Sequence, residues 1–459
     1  MCYNQYMQKR KLNVSGYRGV WGETLNEDIV KWYVWAFVDF TKKVTRKTHP
    51  TILIGRDGRA TGGEIRDIIV KELSKVGVVA VDGDILPTPT VLYSVRSHSC
   101  DGGIIITASH NPIEYNGLKF VNNKALFTIE DEVNEIENSY TAYEKGEKQI
   151  IEDYTDPEKN IPNFSHEHID HILLNIDVEA IRARKFKVIA DMINASASVM
   201  DSYLFEKLGV EFIPLNNIPN GQFAHCPEPI RENLISTMEL AKEHKVDIGF
   251  VHDPDADRLV VINEKGDVIL EEYTIALAIK NVLAKNHGRP VVLNLSTSKM
   301  GEDIAKEYGS ECFRTKVGEG FVVEGILKHK AIIGGEGNGG VIYPIINTAR
   351  DSFVGIGLIL ELLAKTEKNI SELLEEIPKY FMKKDKWPIG MDLKDSYEKL
   401  KKVFVGAKVD EQDGIRFDFS DDSWVHLRPS NTEPIIRLFG EAKTQERIEE
   451  LFSEVKKNM

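Results

Sequence analysis

The segment KVIAD at residues 187–191 decides the fold class, because it opens a pattern that the chain repeats. It has the apolar run of a buried strand and leads through a polar turn into a helical segment, which stops at Gly209 before a second strand at 210–214. The same order of strand, turn, helix and strand occupies residues 51–82 and 290–315. Strands that alternate with helices of this length form crossover units in mainly parallel sheets. The sequence therefore predicts three related α/β domains.

Breaks in the hydrophobic pattern divide the chain further. A polar segment at 146–167 has no sustained apolar period, and turn-like segments follow at 264–267 and near Ile377. After Ile377, short strands at 414–440 alternate with turns, and a charged helix starts at Thr444, which predicts a smaller α+β domain. The expected domains are residues 1–155, 156–265, 266–376 and 377–459.

Composition and charge restrict the classes of protein that fit. Hydrophobic residues make up 42% and charged residues 28% of the 459 positions, which is typical of globular domains with large cores. Lysine and arginine number 58 against 72 aspartates and glutamates, so the net charge is −14 and we expect no nucleic-acid partner. The best apolar run, at 354–364, is too short to span a membrane and contains Glu361. Because the four cysteines form no CxxC pair and the N-terminus is polar, we expect a cytoplasmic protein without membrane association.

A serine follows the apolar segment GGIIIT at residues 102–107. Ser109 lies in the next segment, ASHNP at 108–112, and is thus presented at the carboxyl end of a strand, where open α/β sheets bind ligands. Its small neighbours leave room for a phosphate or a substrate. An ordinary Asn-Pro turn is the alternative, and these residues alone leave it open.

Three aspartates lie between apolar strands at 248–251 and 259–262. Asp253, Asp255 and Asp257 are spaced two apart, and in an extended segment that spacing would point all three to one side. Their repulsion and desolvation would be costly unless a cation lay among them. The sequence predicts a site for Mg²⁺, which prefers a few carboxylates together with a phosphate oxygen.

A calcium loop is the rival interpretation of the aspartates. They occupy positions 1, 3 and 5 of such a loop, and Glu264 stands at position 12. However, Arg258 occupies position 6, where the loop needs glycine, and the flanks indicate strands where an EF-hand has helices. We therefore favour the magnesium site, with a solvated acidic turn as a further alternative.

Two later segments carry groups that suit a sugar phosphate. The glycine-rich segment 332–340 lets the backbone come close to a ligand, and Glu336 and Asn338 would offer acceptors and donors to hydroxyls. The segment RPSNTEP at 428–434, with Arg437 beyond it, gathers guanidinium, hydroxyl and turn N–H groups into an anion nest for a phosphate. A flexible loop and a surface salt-bridge turn are the respective alternatives.

A cluster of histidines, His166, His168 and His171, has a spacing that suggests a metal site. Its flanks look like the first turn of an exposed helix capped by Ser165, so we interpret the three as surface residues.

In this order, the four chemistry-bearing segments resemble the α-D-phosphohexomutase family over nearly the whole chain. The segment TASHNP at 107–112 is similar to the family's phosphoserine loop, 253–258 to its magnesium loop, 335–339 to its sugar-specificity loop and 428–434 to its phosphate-binding loop. The resemblance implies four domains, three related and one smaller, around a central active-site cleft.

The resemblance also implies roles for particular residues. Ser109 would carry a phosphoryl group whose oxygen joins the three aspartates at Mg²⁺. Arg18, in SGYRG at 15–19, matches an active-site arginine although Tyr17 replaces the usual isoleucine, and Glu319 and Asn338 replace a histidine and a serine found in relatives. The implied catalytic residues are Ser109, His110, Lys119, Arg18 and Arg258, the implied metal ligands are Ser109, Asp253, Asp255 and Asp257, and the implied substrate-binding residues are Glu319, Glu336, Asn338, Arg428, Ser430, Asn431, Thr432 and Arg437.

The implied activity is a mutase that interconverts hexose or hexosamine 6-phosphate and 1-phosphate. The implied route passes through phosphoserine and a hexose 1,6-bisphosphate, which also serves as activator, in a monomer or homodimer. Segments 334–344 and 424–428 look most like those of prokaryotic phosphoglucosamine mutases, so glucosamine 6-phosphate is the expected substrate. Phosphomannomutase or phosphoglucomutase activity is the alternative within the family. Outside it, the alternatives are a phosphatase with Asp253 as nucleophile and a catalytically silent sugar-phosphate binder.

Overall fold

The computed structural model describes residues 11–388, 393–430 and 435–459, which form four sheets and the helices that cover them. The first sheet has five strands, β1 Tyr17–Val20, β2 Thr51–Arg56, β3 Val79–Ile85, β4 Gly102–Ile106 and β5 Tyr115–Val121, in the order β1-β5-β4-β2-β3. Its helices are α1 Glu27–Thr45, α2 Gly62–Lys75, α3 Thr88–Ser97 and α4 Glu130–Glu144.

The second and third sheets have four strands each. The second contains β6 Lys187–Asp191, β7 Glu211–Leu215, β8 Ile248–His252 and β9 Leu259–Ile262, with helices α5 Phe164–Leu173, α6 Val178–Arg184, α7 Asp201–Leu208 and α8 Ile235–His244. The third contains β10 Val291–Asn294, β11 Cys312–Thr315, β12 Ile333–Glu336 and β13 Gly340–Ile342, with helices α9 Glu272–Lys285, α10 Met300–Glu307, α11 Glu319–His329, α12 Ser352–Thr366 and α13 Ile370–Glu376.

These three sheets share one strand order. In β3-β2-β4-β5, β7-β6-β8-β9 and β11-β10-β12-β13, the first three strands are parallel and the fourth returns antiparallel. The prediction of three related, mainly parallel domains is therefore confirmed. In each repeat, the connection between the third and fourth strands carries one of the motifs found in the sequence: Ser109, the aspartate triplet, or the glycine-rich segment.

The fourth sheet is antiparallel throughout, which confirms the predicted α+β domain. Its strands are β14 Phe381–Pro388, β15 Lys408–Asp410, β16 Ile415–Asp418, β17 Trp424–Pro429 and β18 Ile435–Ala442, in the order β14-β18-β17-β16-β15. Helices α14 Leu393–Val403 and α15 Gln445–Lys457 accompany it. Helix α15 starts at the position that the sequence predicted, and Thr444 caps it by accepting a hydrogen bond from the Arg447 N–H.

The second and third domains share one hydrophobic core. It runs from Ile169 on α5 to Ile377 and includes Phe250 on β8 and Leu293 on β10. Helix α12 is apolar over most of its length and contacts both α9 and α6, which explains how it joins the two domains. No helix in the described part of the chain is long and apolar enough to cross a bilayer.

Helix α5 differs from the sequence expectation. It is capped by Asn163, whose side chain accepts from the His166 N–H, and not by Ser165. His168 is fully buried, with Nε2 3.0 Å from Asp351 Oδ2 and its ring stacked on Tyr93, so its interpretation as a surface residue was wrong. The cause is that α5 packs against α3 and α12 and so has a buried face at the junction between domains.

Candidate active site

Ser109 lies in the connection between β4 and β5, with its side chain buried. Its φ of 49° is in the left-handed region, which a residue with a Cβ adopts only when its surroundings hold it there. The Ser109 N–H donates to Thr107 Oγ1 at 2.8 Å, and its hydroxyl donates to Asp253 Oδ2 at 3.0 Å. The fold thus brings the serine of the first domain to the aspartates of the second.

The three aspartates gather as the sequence suggested, although not by strand alternation. Carboxylate oxygens of Asp253, Asp255 and Asp257 lie within 4.8 Å of one another, and all three side chains are buried. The segment between β8 and β9 is a turn, with Ala256 at φ 55°, so the expectation of an extended segment was wrong. The turn folds back on itself because Asp253 Oδ1 accepts from the N–H groups of Asp257 and Arg258.

The donor set of this cluster fits a divalent cation. Oδ1 of Asp255 and Oδ1 of Asp257 are buried and have no hydrogen-bond partner among the described residues. Burial and the charges of Asp257 and Asp255 raise the pKa of Asp253 well above its usual value. Buried carboxylate oxygens without partners are costly, and a hard cation with oxygen ligands removes that cost.

Two cationic residues of the first domain lie at the aspartates and the serine loop. Lys119, on β5, places Nζ 2.7 Å from Asp255 Oδ2 and 3.8 Å from Asp257 Oδ2. Although burial alone would raise the pKa of Asp255, Lys119 lowers it below its usual value. Arg18, on β1, donates to Asn111 Oδ1 at 2.7 Å, and burial lowers the pKa of its guanidinium.

His110 and Arg258 complete the immediate surroundings of the serine. His110 Nδ1 lies 3.3 Å from Ser109 Oγ. The charge of Arg258, burial and the charge of Arg18 hold the pKa of His110 well below its usual value, so its imidazole is neutral near pH 7. Arg258 Nε lies 3.8 Å from Asp257 Oδ1.

The glycine-rich connection between β12 and β13 presents Glu336 and Asn338. Glu336 is buried and accepts from Asn294 Nδ2 at 2.7 Å and from the Gly318 N–H at 3.0 Å, while Asn338 is half-buried. Between them, Gly337 is required by space, because an added Cβ would lie 2.0 Å from Glu272 Oε2.

Arg350 lies at the candidate active site, although sequence reasoning did not identify it. Its guanidinium donates to Glu336 Oε2 at 2.8 Å and to Asp257 Oδ2, and its Nε lies 3.3 Å from Glu319 Oε2. It thus joins the aspartate turn to the glycine-rich loop. Burial raises the pKa of Glu319 to about 7 although Arg350 opposes that rise. The only signal in the sequence was an arginine beside Asp351, the residue that caps the apolar α12.

The predicted anion nest lies on two paired strands of the fourth domain. Arg428 on β17 faces Arg437 on β18 directly in the register. Arg428 is buried and donates from Nε to Asp413 Oδ2 at 2.9 Å, while one of its terminal nitrogens has no hydrogen-bond partner among the described residues. The Ser430 N–H donates to the Ile435 carbonyl. Asn431 and Thr432 lie outside the described residues.

The fourth domain contacts the third beside this nest. Asp413 Oδ2 also accepts from the Val317 N–H, two residues before Glu319. His426 is buried with Nδ1 2.9 Å from Ser296 Oγ, and burial lowers its pKa to about 4. The structure therefore brings the serine, the aspartates and the glycine-rich loop together directly. The anion nest is connected to them through Asp413 and residues 317–319.

Family models match the chain along nearly its whole length. Phosphoglucomutase/phosphomannomutase alpha/beta/alpha domains I, II and III match residues 9–147, 166–266 and 271–381, and the C-terminal domain of the same family matches residues 383–458.

Individual relatives agree with this assignment. A phosphoglucomutase/phosphomannomutase of Thermococcus kodakarensis is 37% identical over 449 residues, which cover 95% of each chain. A phosphoglucosamine/phosphogalactosamine mutase of Sulfurisphaera tokodaii is 32% identical over 449 residues, covering 96% of this chain and 97% of that one. Among solved structures, a phosphoglucomutase/phosphomannomutase family protein of Burkholderia thailandensis has a TM-score of 0.83 at 25% identity, covering 98% of this chain and 96% of that one.

The four-domain fold, the site and the relatives lead to one class of enzyme. The chain belongs to the phosphoglucomutase/phosphomannomutase family of α-D-phosphohexomutases, as its resemblance implied. Members of this family are mutases, so the chain is a phosphohexomutase and therefore an isomerase.

Proposed function

We propose that the enzyme interconverts a hexosamine 6-phosphate and its 1-phosphate through a phosphorylated Ser109 and a 1,6-bisphosphate. The observation that carries this proposal is the 3.0 Å hydrogen bond from the Ser109 hydroxyl to Asp253, inside a cluster of three buried carboxylates. A phosphoryl group on Ser109 would enter that cluster, so the proposed carrier and the proposed metal site occupy the same place.

The chemical step exchanges one P–O bond for another. The bond from phosphorus to Ser109 Oγ breaks while the free hydroxyl of the sugar phosphate forms a new bond to phosphorus. The proton leaves the sugar hydroxyl and returns to Ser109 Oγ, and Lys119 assists this transfer. Transfer of the other phosphate of the bisphosphate back to Ser109 yields the isomer. Added hexose 1,6-bisphosphate activates by phosphorylating a free Ser109.

The residues around Ser109 act by position and charge, on which phosphoryl transfer depends. Arg18, Arg258 and Lys119 stabilise the negative charge that spreads over the transferring group. Neutral His110, 3.3 Å from Ser109 Oγ, orients the serine oxygen. Asp253, Asp255 and Asp257 would hold Mg²⁺ together with a phosphate oxygen of Ser109, and the bound cation would neutralise charge on that oxygen.

The substrate would be held from both ends. Glu336, Asn338 and Glu319 bind sugar hydroxyls, since Glu336 and Asn338 belong to the glycine-rich loop and Glu319 shares Arg350 with Glu336. The other phosphate binds at the nest in the fourth domain, formed by Arg428, Ser430, Asn431, Thr432 and Arg437. Because the bisphosphate must react in two orientations, these contacts have to accept either end of the sugar.

We propose glucosamine phosphate as the preferred substrate, with mannose or glucose phosphate as the alternative. Support comes from the segments noted in the sequence and from relatives named phosphoglucosamine mutase, such as that of Methanococcus vannielii at 34% identity over 426 residues. The relative from Thermococcus kodakarensis, named phosphoglucomutase/phosphomannomutase, favours the alternative. A coupled assay with glucosamine, mannose and glucose phosphates under equal Mg²⁺ decides between them, and equal rates would contradict the preference.

Replacing the proposed carrier tests the mechanism. Ser109→Ala should abolish turnover even with glucose 1,6-bisphosphate present, and mass spectrometry should find phosphate on Ser109 only in the wild type. Ser310→Ala, a change at a buried serine before β11, is the matched control and should keep full activity. Near-normal turnover by Ser109→Ala would rule the mechanism out. Steady release of inorganic phosphate would indicate the phosphatase, and binding without turnover the silent binder.

The remaining expectations are part of the same proposal. We place the domains at residues 1–155, 156–265, 266–376 and 377–459. Limited proteolysis should cut first in the exposed segment just after residue 155 and only later near 265, because the second and third domains share one core. We expect a cytoplasmic enzyme, consistent with the free state of Cys100, Cys226 and Cys312, and a monomer or homodimer, which light scattering distinguishes.

A further inference from the structure

Arg59, in the turn after β2, is fully buried and uses every N–H of its guanidinium. Nε donates to Asp57 Oδ2 at 3.0 Å. The terminal nitrogens donate to four backbone carbonyls, those of Ser109, Asn111, Pro112 and Tyr115, at 2.6 to 2.9 Å. Since a guanidinium has five N–H groups, none is left for a substrate or a phosphate.

Three of the four carbonyls belong to the connection that carries Ser109, and the fourth is that of Tyr115, the first residue of β5. This connection has few internal backbone hydrogen bonds, from Asn111 to the Ala108 carbonyl and from Tyr115 to the Pro112 carbonyl. Its carbonyl dipoles converge on one point, which is unfavourable unless a cation lies there. Arg59 therefore fixes the backbone conformation of this loop through hydrogen bonds on its buried side.

Asp57 holds the same loop by a second route. Its Oδ2 accepts from Thr107 Oγ1 at 2.6 Å, and Thr107 Oγ1 in turn accepts from the Ser109 N–H at 2.8 Å. Ser109 is thus fixed on both sides of its Cα, at its N–H through Thr107 and Asp57 and at its carbonyl through Arg59. These contacts maintain the left-handed conformation that aims Oγ at Asp253.

The other two repeats use the same arrangement with weaker contacts. In the second domain, Ser196 Oγ, in the segment after β6, donates to the Pro254 carbonyl of the aspartate turn at 2.8 Å. In the third, Thr297 Oγ1, after β10, accepts from the Gly337 N–H of the glycine-rich loop at 3.0 Å. In every repeat, the segment after the first strand in chain order (β2, β6 or β10) supports the loop after the third (β4, β8 or β12). Only the first domain does so with a buried ion pair.

We propose that Arg59 is a positioning residue that fixes Ser109 in the geometry required for phosphoryl transfer without itself touching the substrate. This inference rests on the proposed role of Ser109 as the phosphoryl carrier. It assigns catalytic importance to the pair Asp57 and Arg59, which lies outside the residues identified from the sequence.

The decisive variant is Arg59→Lys, which keeps the charge and removes the planar fork. An ammonium has three donors and cannot reach four carbonyls and a carboxylate in one plane. We expect kcat to fall roughly 100-fold, the size associated with misplacing a reacting group by about 1 Å, while KM changes less than about threefold. The rate of phosphate transfer from glucose 1,6-bisphosphate to Ser109, followed by mass spectrometry, should fall in parallel.

Arg416→Lys is the matched control, because Arg416 is also buried, pairs with Asp418 two residues away and donates to the Leu295 carbonyl. It should lower the thermal midpoint about as much as Arg59→Lys and keep kcat within about threefold. In Arg59→Ala, guanidinium ion added at millimolar concentration should fill the cavity left by the side chain. The kcat of the variant should then be at least tenfold higher than without guanidinium. A purely structural role would predict no such rescue.

The outcomes separate this inference from the proposed function. If Ser109→Ala abolishes turnover and Arg59→Lys keeps kcat within threefold of the wild type, the positioning role is wrong and the phosphoserine mechanism stands. If Ser109→Ala retains turnover, the mechanism itself fails. Should Arg59→Ala not fold, Arg59→Lys alone decides, and a kcat loss equal to that of Arg416→Lys overturns the inference.

Discussion

The hydroxyl of Ser109 donates to Asp253 at 3.0 Å, although 144 positions separate the two residues in the chain. One belongs to the first repeat and the other to the second, and each lies in the connection between the third and fourth strands of its repeat, β4 and β5 or β8 and β9. Their contact means that the proposed carrier and the carboxylate cluster are already assembled before a substrate binds. Such preassembly is a main source of rate in reactions that depend on position.

Removal of the Lys119 charge should stop catalysis. In Lys119→Met the buried Asp255 loses its partner at 2.7 Å, and breaking a buried pair in this way costs about 3–5 kcal/mol. We expect kcat to fall 100-fold or more and the thermal midpoint to drop. Lys148→Met, which breaks a partly exposed pair with Asp39, should change stability by at most about 1 kcal/mol and leave kcat unchanged. A kcat of Lys119→Met within threefold of the wild type would exclude the proposed role.

Arg350→Lys should weaken substrate binding more than it slows the reaction. A lysine cannot contact Asp257, Glu319 and Glu336 together, so Glu336 would lose its fixed position at the glycine-rich loop. The expected effect is a KM about tenfold higher, or about 1.4 kcal/mol, measured in the coupled assay. The exposed Arg182, substituted in the same way, should leave KM unchanged. An unaltered KM in Arg350→Lys would show that the three acidic partners do not need a common guanidinium.

Gly337→Ala should disturb the glycine-rich loop. The new Cβ would lie 2.0 Å from Glu272 Oε2, so the loop or the buried carboxylate must move. We expect a KM increase of at least fivefold together with a lower thermal midpoint. Gly63→Ala is the control, because it lies in α2 with open space around it and should stabilise the protein by about 0.4–1 kcal/mol. If Gly337→Ala had the same KM and thermal midpoint as Gly63→Ala, the glycine-rich loop would tolerate the added methyl group.

Glu272 should make stability depend on pH. Burial raises the pKa of its carboxyl group from 4.5 to about 8, so between these values the folded chain holds a proton that the unfolded chain releases. Stability should therefore fall as pH rises through this window, by at most about 1.4 kcal/mol per pH unit from this group. Urea unfolding of Glu272→Gln from pH 5 to 8 should show a flatter dependence than the wild type.

Glu179→Gln is the control for that experiment, since Glu179 is exposed and pairs only with Arg182 among the described residues. Its unfolding midpoints should follow the wild-type pH dependence. If the unfolding midpoints of Glu272→Gln also follow the wild-type pH dependence, the buried carboxyl group is ionised in the folded state. The predicted loss of stability with rising pH would then be wrong for this group.

Much of the fold could be predicted because local pattern and tertiary environment agree. The run at 187–191 is buried on both faces of its sheet, and β6 spans the same residues. Gly209 ends α7 in the left-handed conformation that favours glycine. The positions of two candidate loops were predicted because each follows an apolar run, GGIII at 102–106 and IGFV at 248–251, and the structure forms these runs as β4 and β8.

What could not be predicted depends on contacts between distant segments. The aspartates converge through a turn whose hydrogen bonds start at Asp253, and spacing does not distinguish that turn from a strand. Arg59 and Arg350 act through backbone carbonyls and carboxylates on other segments, and nothing adjacent to them in sequence shows this. His168 looked exposed because its burial comes from α3 and α12.

The shared core of the second and third domains has a consequence for how the enzyme unfolds. Ile172, Phe250 and Leu358 lie in one continuous apolar cluster, so the boundary at residue 265 separates two sheets without separating two cores. A fragment that ended there would expose the surface against which α12 packs, and it would lack the cooperativity of an independent folding unit. The aspartate turn and the glycine-rich loop therefore belong to one cooperative folding unit, and neither loop can keep its position if the other sheet of that unit is lost.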